Sequence, residues 1–330
     1  MAHDLLIQGG QARMMYYGEE PWHGLGTKLD HPATAEEAIK AAGLDWQVVK
    51  TPLAYIPEAG KIEWMKDRFA IMPGAGWQGR DRPAFGVVGS AYKPLQNREA
   101  FEFFDPIVGK DAAVYHTAGA LEGGRRIWIL AKLPDDIRVL GDDITEKYLL
   151  LTTSHDGESA IQIKFTPVRV VCQNTLCMAL ASGKTFRVRH TRDIHERLKQ
   201  AHELLGIIHN QYSYIEDVCV AMSGVKLDRG SFVAYVKQVF PDPADPESEE
   251  ELAHTTRDRS RAEYFFEYGR GNQARGVAGT LWAAYNGVVE YMDYERVSRV
   301  PEARLNSIWH GRGARVKIRA FEIAKTFCAS

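Results

Sequence analysis

The sequence is poor in cysteine and holds no long apolar run. Its four cysteines, Cys172, Cys177, Cys219 and Cys328, are too few for the disulfide framework of a small secreted domain. A reducing, cytoplasmic setting is therefore the expectation. No apolar run approaches the roughly 18–20 residues of a membrane-spanning helix. Residues 1–10 carry no basic region and only a short apolar stretch, so they do not read as a signal peptide. Net charge is −2, so no global positive field draws in a polyanion. Nucleic-acid binding would require local segregation of charge.

Familiar catalytic and cofactor motifs are also missing. Gly74-Ala75-Gly76-Trp77-Gln78-Gly79 matches the dinucleotide fingerprint in letters, but a helix must follow to hold the pyrophosphate. Arg80-Asp81-Arg82-Pro83 does not start one, so a glycine-rich hairpin turn is the better reading. Gly183-Lys184-Thr185 imitates the end of a phosphate-binding loop, yet Met178 stands where the loop needs its first glycine. Cys172 and Cys177 are five apart, which suits no zinc pair. His195, His202 and His209 recur every seven residues, which marks a polar helix face better than a ligand set. There is no Gly-x-Ser-x-Gly elbow. No cofactor, no metal and no catalytic residue is expected.

What is present is an ordinary globular composition, with 45% apolar and 25% charged residues over 330 positions. Thr34 with Glu37 has the spacing of a capping box, and Gly43 can close that helix. Strands are predicted at 46–50, 61–65, 68–72, 84–89 and 127–131. Two more, at 148–153 and 159–165, flank the hairpin signal His155-Asp156-Gly157. Asn97 can cap a short helix bearing Phe101, Phe104 and Val108. A helix is predicted over 172–181, packed against the hairpin. From Thr191 helical spacing dominates, with helices at 228–240, 251–268, 277–294 and 315–327. The aromatics Tyr264, Phe265, Phe266, Trp282, Tyr285 and Tyr291 fall at helical spacing and read as core. The stretch 241–251 is proline-rich and acidic, an exposed loop. Strands followed by helices indicate an α+β fold. The expected division is an N-terminal segment 1–44, a β-rich core domain 45–190 and a helical region 191–330.

Charge is segregated locally. Lys164, Arg169, Lys184, Arg187, Arg189, Arg192, Arg197 and Lys199 face only Asp193 and Glu196 in their stretch. A second stretch holds Arg296, Arg299, Arg304, Arg312, Arg315, Lys317 and Arg319 against Glu302. Such clusters can neutralise a phosphate backbone, and nearby aromatics can stack bases. A solvated, salt-bridged face is the competing reading. The candidate nucleic-acid-binding set is Arg125, Arg126, Lys164, Arg169, Arg187, Arg189 and Arg192 for phosphates, with Trp128 and Phe186 for bases. Single-stranded DNA is the expected partner.

Several stretches occur together: Pro21-Trp22-His23-Gly24-Leu25-Gly26, Tyr92-Lys93-Pro94-Leu95-Gln96-Asn97, Gly123-Gly124-Arg125-Arg126, Thr153-Ser154-His155-Asp156-Gly157, Phe165-Thr166-Pro167-Val168-Arg169-Val170-Val171-Cys172-Gln173-Asn174-Thr175-Leu176 and Gly279-Thr280-Leu281-Trp282-Ala283-Ala284-Tyr285-Asn286. In these the chain resembles the phage/plasmid-like protein family built on domain of unknown function 932. The resemblance implies an accessory protein of a mobile element, acting in recombination or replication. It brings no established activity and no catalytic residue. Hairpins followed by a helix are also similar to the core of single-strand annealing proteins of the Rad52 and phage-recombinase type. That likeness is an analogy of fold, and because such proteins form rings it implies a homo-oligomer. Two other readings stay open. One is a counter-defence protein acting on a host factor through an exposed apolar patch. The other is an enzyme with a pocket where His116, His155, Asp156 or Cys172 converge.

Overall fold

The computed structural model describes residues 5–21, 24–58, 60–103, 113–141, 143–169, 174–175, 186–191, 196, 206–243, 245, 248–296, 307 and 311–329. Within them the fold is mixed α and β, with strands concentrated in the N-terminal half and helices in the C-terminal region. The chain folds into two compact units, each made of segments that alternate along the sequence. Unit 1 is Met1–Pro134, Leu149–Lys164 and Thr185–Gly206; unit 2 is Asp135–Tyr148, Phe165–Lys184 and Ile207–Ser330.

Unit 1 opens with the hairpin β1 (Ile7–Gln8) and β2 (Gln11–Ala12). Then come β3 (Met14–Tyr17), β4 (Thr27–Leu29) and helix α1 (Ala35–Ala41). The predicted capping box is present: Thr34 Oγ1 accepts from the Glu37 amide, and Glu37 accepts from the Thr34 amide. Strands β5 (Val48–Tyr55), β6 (Glu63–Pro73) and β7 (Gly86–Gly89) form an antiparallel three-stranded sheet in that order. The two strands predicted at 61–65 and 68–72 are thus one. Asp67 adopts φ 57° between them, and the pairing with β5 shifts there, so the strand bulges instead of ending. No helix follows Gly79 among the described residues, and the glycine-rich stretch joins β6 to β7.

Helix α2 (Asn97–Glu102) is capped by Gln96 with Glu99, not by Asn97. Asn97 is instead buried, donating its amide to the Leu44 carbonyl at 2.9 Å. The central sheet is completed by β8 (Val114–Leu121), β9 (Arg126–Lys132), β12 (Tyr148–Ser154), β13 (Ile161–Phe165) and β16 (Phe186–Val188). Its order is β16-β13-β12-β9-β8-β3-β4, so among the described residues β16 is an edge. Strand β12 is buried along its whole length, as its near-continuous Leu and Thr content requires. Gly119 is needed on β8: a Cβ there would lie 2.1 Å from the Trp128 ring.

Unit 2 contains β10 (Ile137–Leu140), β11 (Asp143–Glu146), β14 (Val168–Arg169) and β15 (Asn174–Thr175), hydrogen-bonded in that order. The helix predicted over 172–181 is contradicted at its described positions. Asn174 and Thr175 pair antiparallel with Arg169 and Val168. Both strands of that short pairing carry a β-branched residue, and the sheet partner outweighs local helical spacing. Among the described residues five helices follow: α3 (Gly206–Gly224), α4 (Arg229–Val239), α5 (Glu249–Tyr268), α6 (Leu281–Glu290) and α7 (Arg312–Cys328). A π-helical turn, Tyr291–Glu295, extends α6. Side chains of Asp228, Ser248 and Thr280 cap α4, α5 and α6. Helix α6 is buried all round, and Gly287 lets it approach α5, where a Cβ would meet the Phe266 amide at 2.7 Å. Trp282 donates to Asp143 Oδ2 at 2.8 Å, tying α6 to β11. Of the aromatics assigned to the core, Trp282, Tyr285 and Tyr291 are buried, whereas Tyr264 is exposed.

Candidate nucleic-acid interface

The edge strand β16 pairs with β13 in the register Ile161↔Val188, Gln162↔Arg187 and Ile163↔Phe186. Val188, Ile161 and Ile163 are buried. By strand alternation Arg187 and Arg189 lie on the opposite, exposed face. Lys164 shares that face through β13 and is half-buried. Among the described residues Arg187 and Arg189 have no carboxylate partner. Lys93, also exposed, lies beside them, because its amide donates to the His190 carbonyl at 3.1 Å. Arg125 is exposed just before β9, and its carbonyl accepts from the His155 amide. The acids at this end of the sheet include Asp156 and Glu158, in the β12–β13 turn. Asp156 Oδ1 is occupied by the Ser154 hydroxyl and the Glu158 amide.

Two members of the predicted set are corrected. Trp128 is 1% exposed, lies over Gly119 and donates to Thr117 Oγ1. It is a core residue and cannot stack a base. Its place within the apolar run Ile127–Ala131 was the signal for burial. Arg126 is largely buried, facing Glu122 four residues back, so the helical turn between β8 and β9 uses its charge. The side chains of Arg169 and Phe186, and all of Arg192, lie outside the described residues, as do Lys184 and Cys172. Of the second basic stretch, Lys317 is 0% exposed and bonded to Asp293 at 2.7 Å, which removes it from any phosphate-binding role. Of the spaced histidines, His195 and His202 lie outside the described residues.

The exposed aromatics are elsewhere in unit 1. Beyond Ala70 the β5–β6 ribbon projects with both faces in solvent. It carries Trp64 at 69% exposure, Tyr55 at 48%, Ile56 and Ile62. Lys61, Lys66 and Arg68 are interleaved with them. Tyr55 is oriented by donating to Glu63 Oε2 at 2.7 Å. The ribbon's base is fastened toward the edge patch: Lys50 Nζ donates to the Ser90 and Tyr92 carbonyls and lies over the Phe69 ring. Sequence reasoning missed Trp64 and Tyr55. An aromatic in a strand normally marks a packed face, and only the absence of an apolar partner of any size opposite (Trp64 faces Ala54) could have suggested otherwise.

Beneath the patch lies a neutral histidine cluster. The His155 Nε2 atom is 3.0 Å from Asn97 Oδ1. Because the Asn97 amide nitrogen donates to Leu44, its oxygen accepts, and Nε2 carries the proton. The ring is packed between Trp46 and Phe85, and Nδ1 has no partner. Burial, reinforced by His190, pushes the His155 pKa down to about 3. His190 stacks on Tyr92 and sits near Thr153 Oγ1 and the Lys93 carbonyl. Burial lowers it to about 4, against the Lys93 carbonyl and Asp156. These rings stay uncharged at neutral pH and add nothing to the cationic patch. Sealed in the core, His155 has no access to a substrate.

No group of His, Cys, Asp and Glu that could hold a metal ion occurs among the described residues. No helix among them is long and apolar enough to cross a membrane. No curated protein matches the chain, and no solved structure does. The sequence profile of the domain of unknown function DUF932 matches residues 84–309, well over half the chain and spanning β7, the central strands and the helices through the π turn. The chain therefore belongs to the DUF932 family.

Proposed function

We propose that the chain binds single-stranded nucleic acid, DNA in the first instance, through unit 1. Phosphates lie along the edge formed by Lys93, Lys164, Arg187 and Arg189, and bases stack on Trp64 and Tyr55. One observation carries this reading: a solvent-exposed aromatic ribbon and an edge of arginines without carboxylate partners among the described residues belong to the same unit. Stacking plus backbone neutralisation is how single strands are held without sequence preference. The finer reading is a mobile-element protein of phage or plasmid type, assisting recombination or replication as a cytoplasmic, ring-forming annealing protein. Its support is the motif resemblance and the hairpin-rich sheet.

The test is a titration of labelled single strands at two salt concentrations, with wild type and Trp64→Ala. Wild-type affinity falls steeply with salt. The variant loses about 1–3 kcal/mol of binding, the value of one stacked base, with an unchanged melting temperature. Absence of binding at low salt defeats the proposal.

A second reading has its own observation. Ile56, Ile62, Met65 and Val87 are exposed on or beside the same three-stranded sheet, and an apolar patch of this kind also suits a protein partner, as a counter-defence protein would need. Salt-insensitive association with a host protein, abolished in Ile56→Ser with Ile62→Ser, is its signature.

A further inference from the structure

Cross-strand pairing fixes the two faces of the β5–β6 ribbon. Directly paired residues share a face, and so do residues two apart on one strand. Val48↔Pro73, Lys50↔Ile71, Pro52↔Phe69 and Ala54↔Trp64 therefore fall on one face. The same alternation, carried one step past the strand ends, adds Ile56 and Ile62. Thr51↔Ala70 and Tyr55↔Glu63 fall on the other face.

The first face is an apolar stripe that changes fate along its length. At its base Val48, Ile71 and Pro73 are buried, as is Val88 of β7, the partner of Phe69. Phe69 is half-buried. Beyond it Pro52, Ala54 and Trp64 are exposed, and Ile56 and Ile62 are exposed by 70% and 66%. The charged member of these pairs, Lys50, is tied down by the Ser90 and Tyr92 carbonyls. The stripe starts as core and continues into solvent toward the tip.

Charge around the stripe is self-complementary. The tip half of the ribbon carries Glu58, Lys61 and Glu63, one anion in excess. The base half carries Lys66, Asp67 and Arg68, one cation in excess. All six are exposed. Two ribbons running in opposite directions set each tip against the other's base. The exposed part of the stripe offers roughly 500 Å² per copy, given about 150–250 Å² for one large aromatic. Pairing would bury about 1,000 Å² in total, enough for a weak specific interface.

We propose that a second copy of this chain covers the stripe, with the two ribbons packed face to face about a two-fold axis. Ile56 and Ile62 of one copy then lie toward Pro52 and Phe69 of the other, and the two Trp64 rings meet near the axis, where binding energy concentrates. Such an isologous contact closes at two copies, so a ring needs a further contact as well. Trp64 is also the stacking ring of the proposed strand interface, so a strand and a second copy compete for it.

The test is sedimentation velocity of the full chain over a wide concentration series, without nucleic acid, so that it stands apart from the strand proposal. The expected result is a reversible shift from monomer to dimer in the micromolar range. Trp64→Ala weakens dimerisation at least about tenfold, with unchanged thermal stability because the side chain is exposed. Charge variants test the arrangement. Glu58→Lys makes both halves of the ribbon cationic, and Arg68→Glu makes both anionic. Each alone dimerises more weakly than wild type, and an equal mixture of the two recovers dimer as a heterodimer. Monomer at every concentration, wild-type dimerisation in Trp64→Ala, or a mixture no better than its components overturns the proposal.

Discussion

Unit 1 buries His155 and His190 as neutral rings, whereas unit 2 buries Lys317 and Asp293 as a charged pair. Unit 1 keeps its cations at a sheet edge and on a ribbon. Unit 2 draws some of its own inward, setting Lys317 against Asp293 and Arg296 against Asp258. The contrast teaches that a basic stretch in a sequence has no single fate. A strand sends every second residue to the opposite face, so Arg187 and Arg189 emerge together while Val188 is buried. A helix distributes consecutive residues around its axis, so in α7 Lys317 reaches the core while Arg315 and Arg319 remain exposed.

The largest effect is expected from removing one partner of the buried pair. Lys317→Met should cost about 3–5 kcal/mol, because it removes the buried cation that neutralises Asp293. Joint replacement, Lys317→Met with Asp293→Leu, should recover most of that deficit. Urea unfolding of the single and double variants measures both. Equal destabilisation by the two would show that packing, not charge, decides the site.

The histidines give a smaller dependence, and one that acts through pH. Their folded pKa values lie below the ordinary value of 6.5, so the unfolded chain binds protons that the folded chain refuses. Stability is then full above pH 6.5 and declines on acidification toward pH 4 and 3. Each histidine should cost about 2 kcal/mol between pH 6.5 and 5. Denaturation midpoints across that window should flatten in His155→Gln and His190→Gln. A wild-type midpoint independent of pH there would mean that both rings take up protons in the folded state.

Much of the fold was legible because local rules and tertiary structure agree. The Thr34 capping box, the His155-Asp156-Gly157 turn and the helices from Asp228 onward all obey short-range chemistry. Legibility failed where partners distant in sequence decide. Asn174 and Thr175 take strand form from Val168 and Arg169. The discontinuous units arise because β10, β11, β14 and β15 join the helical unit, which no local pattern shows. At the candidate site, Arg187, Arg189 and Lys164 were identifiable from charge density alone. Trp128 was misassigned because an aromatic beside two arginines resembles a stacking platform when burial is not known. Trp64 and Tyr55 were overlooked for the converse reason.

The most direct measurement is the salt dependence of single-strand binding in Arg187→Ala with Arg189→Ala. With two fewer phosphates neutralised on a single strand, the slope of log affinity against log salt should fall by about 1.4, with thermal stability unchanged. An unaltered slope would contradict the assignment of this sheet edge to phosphate binding.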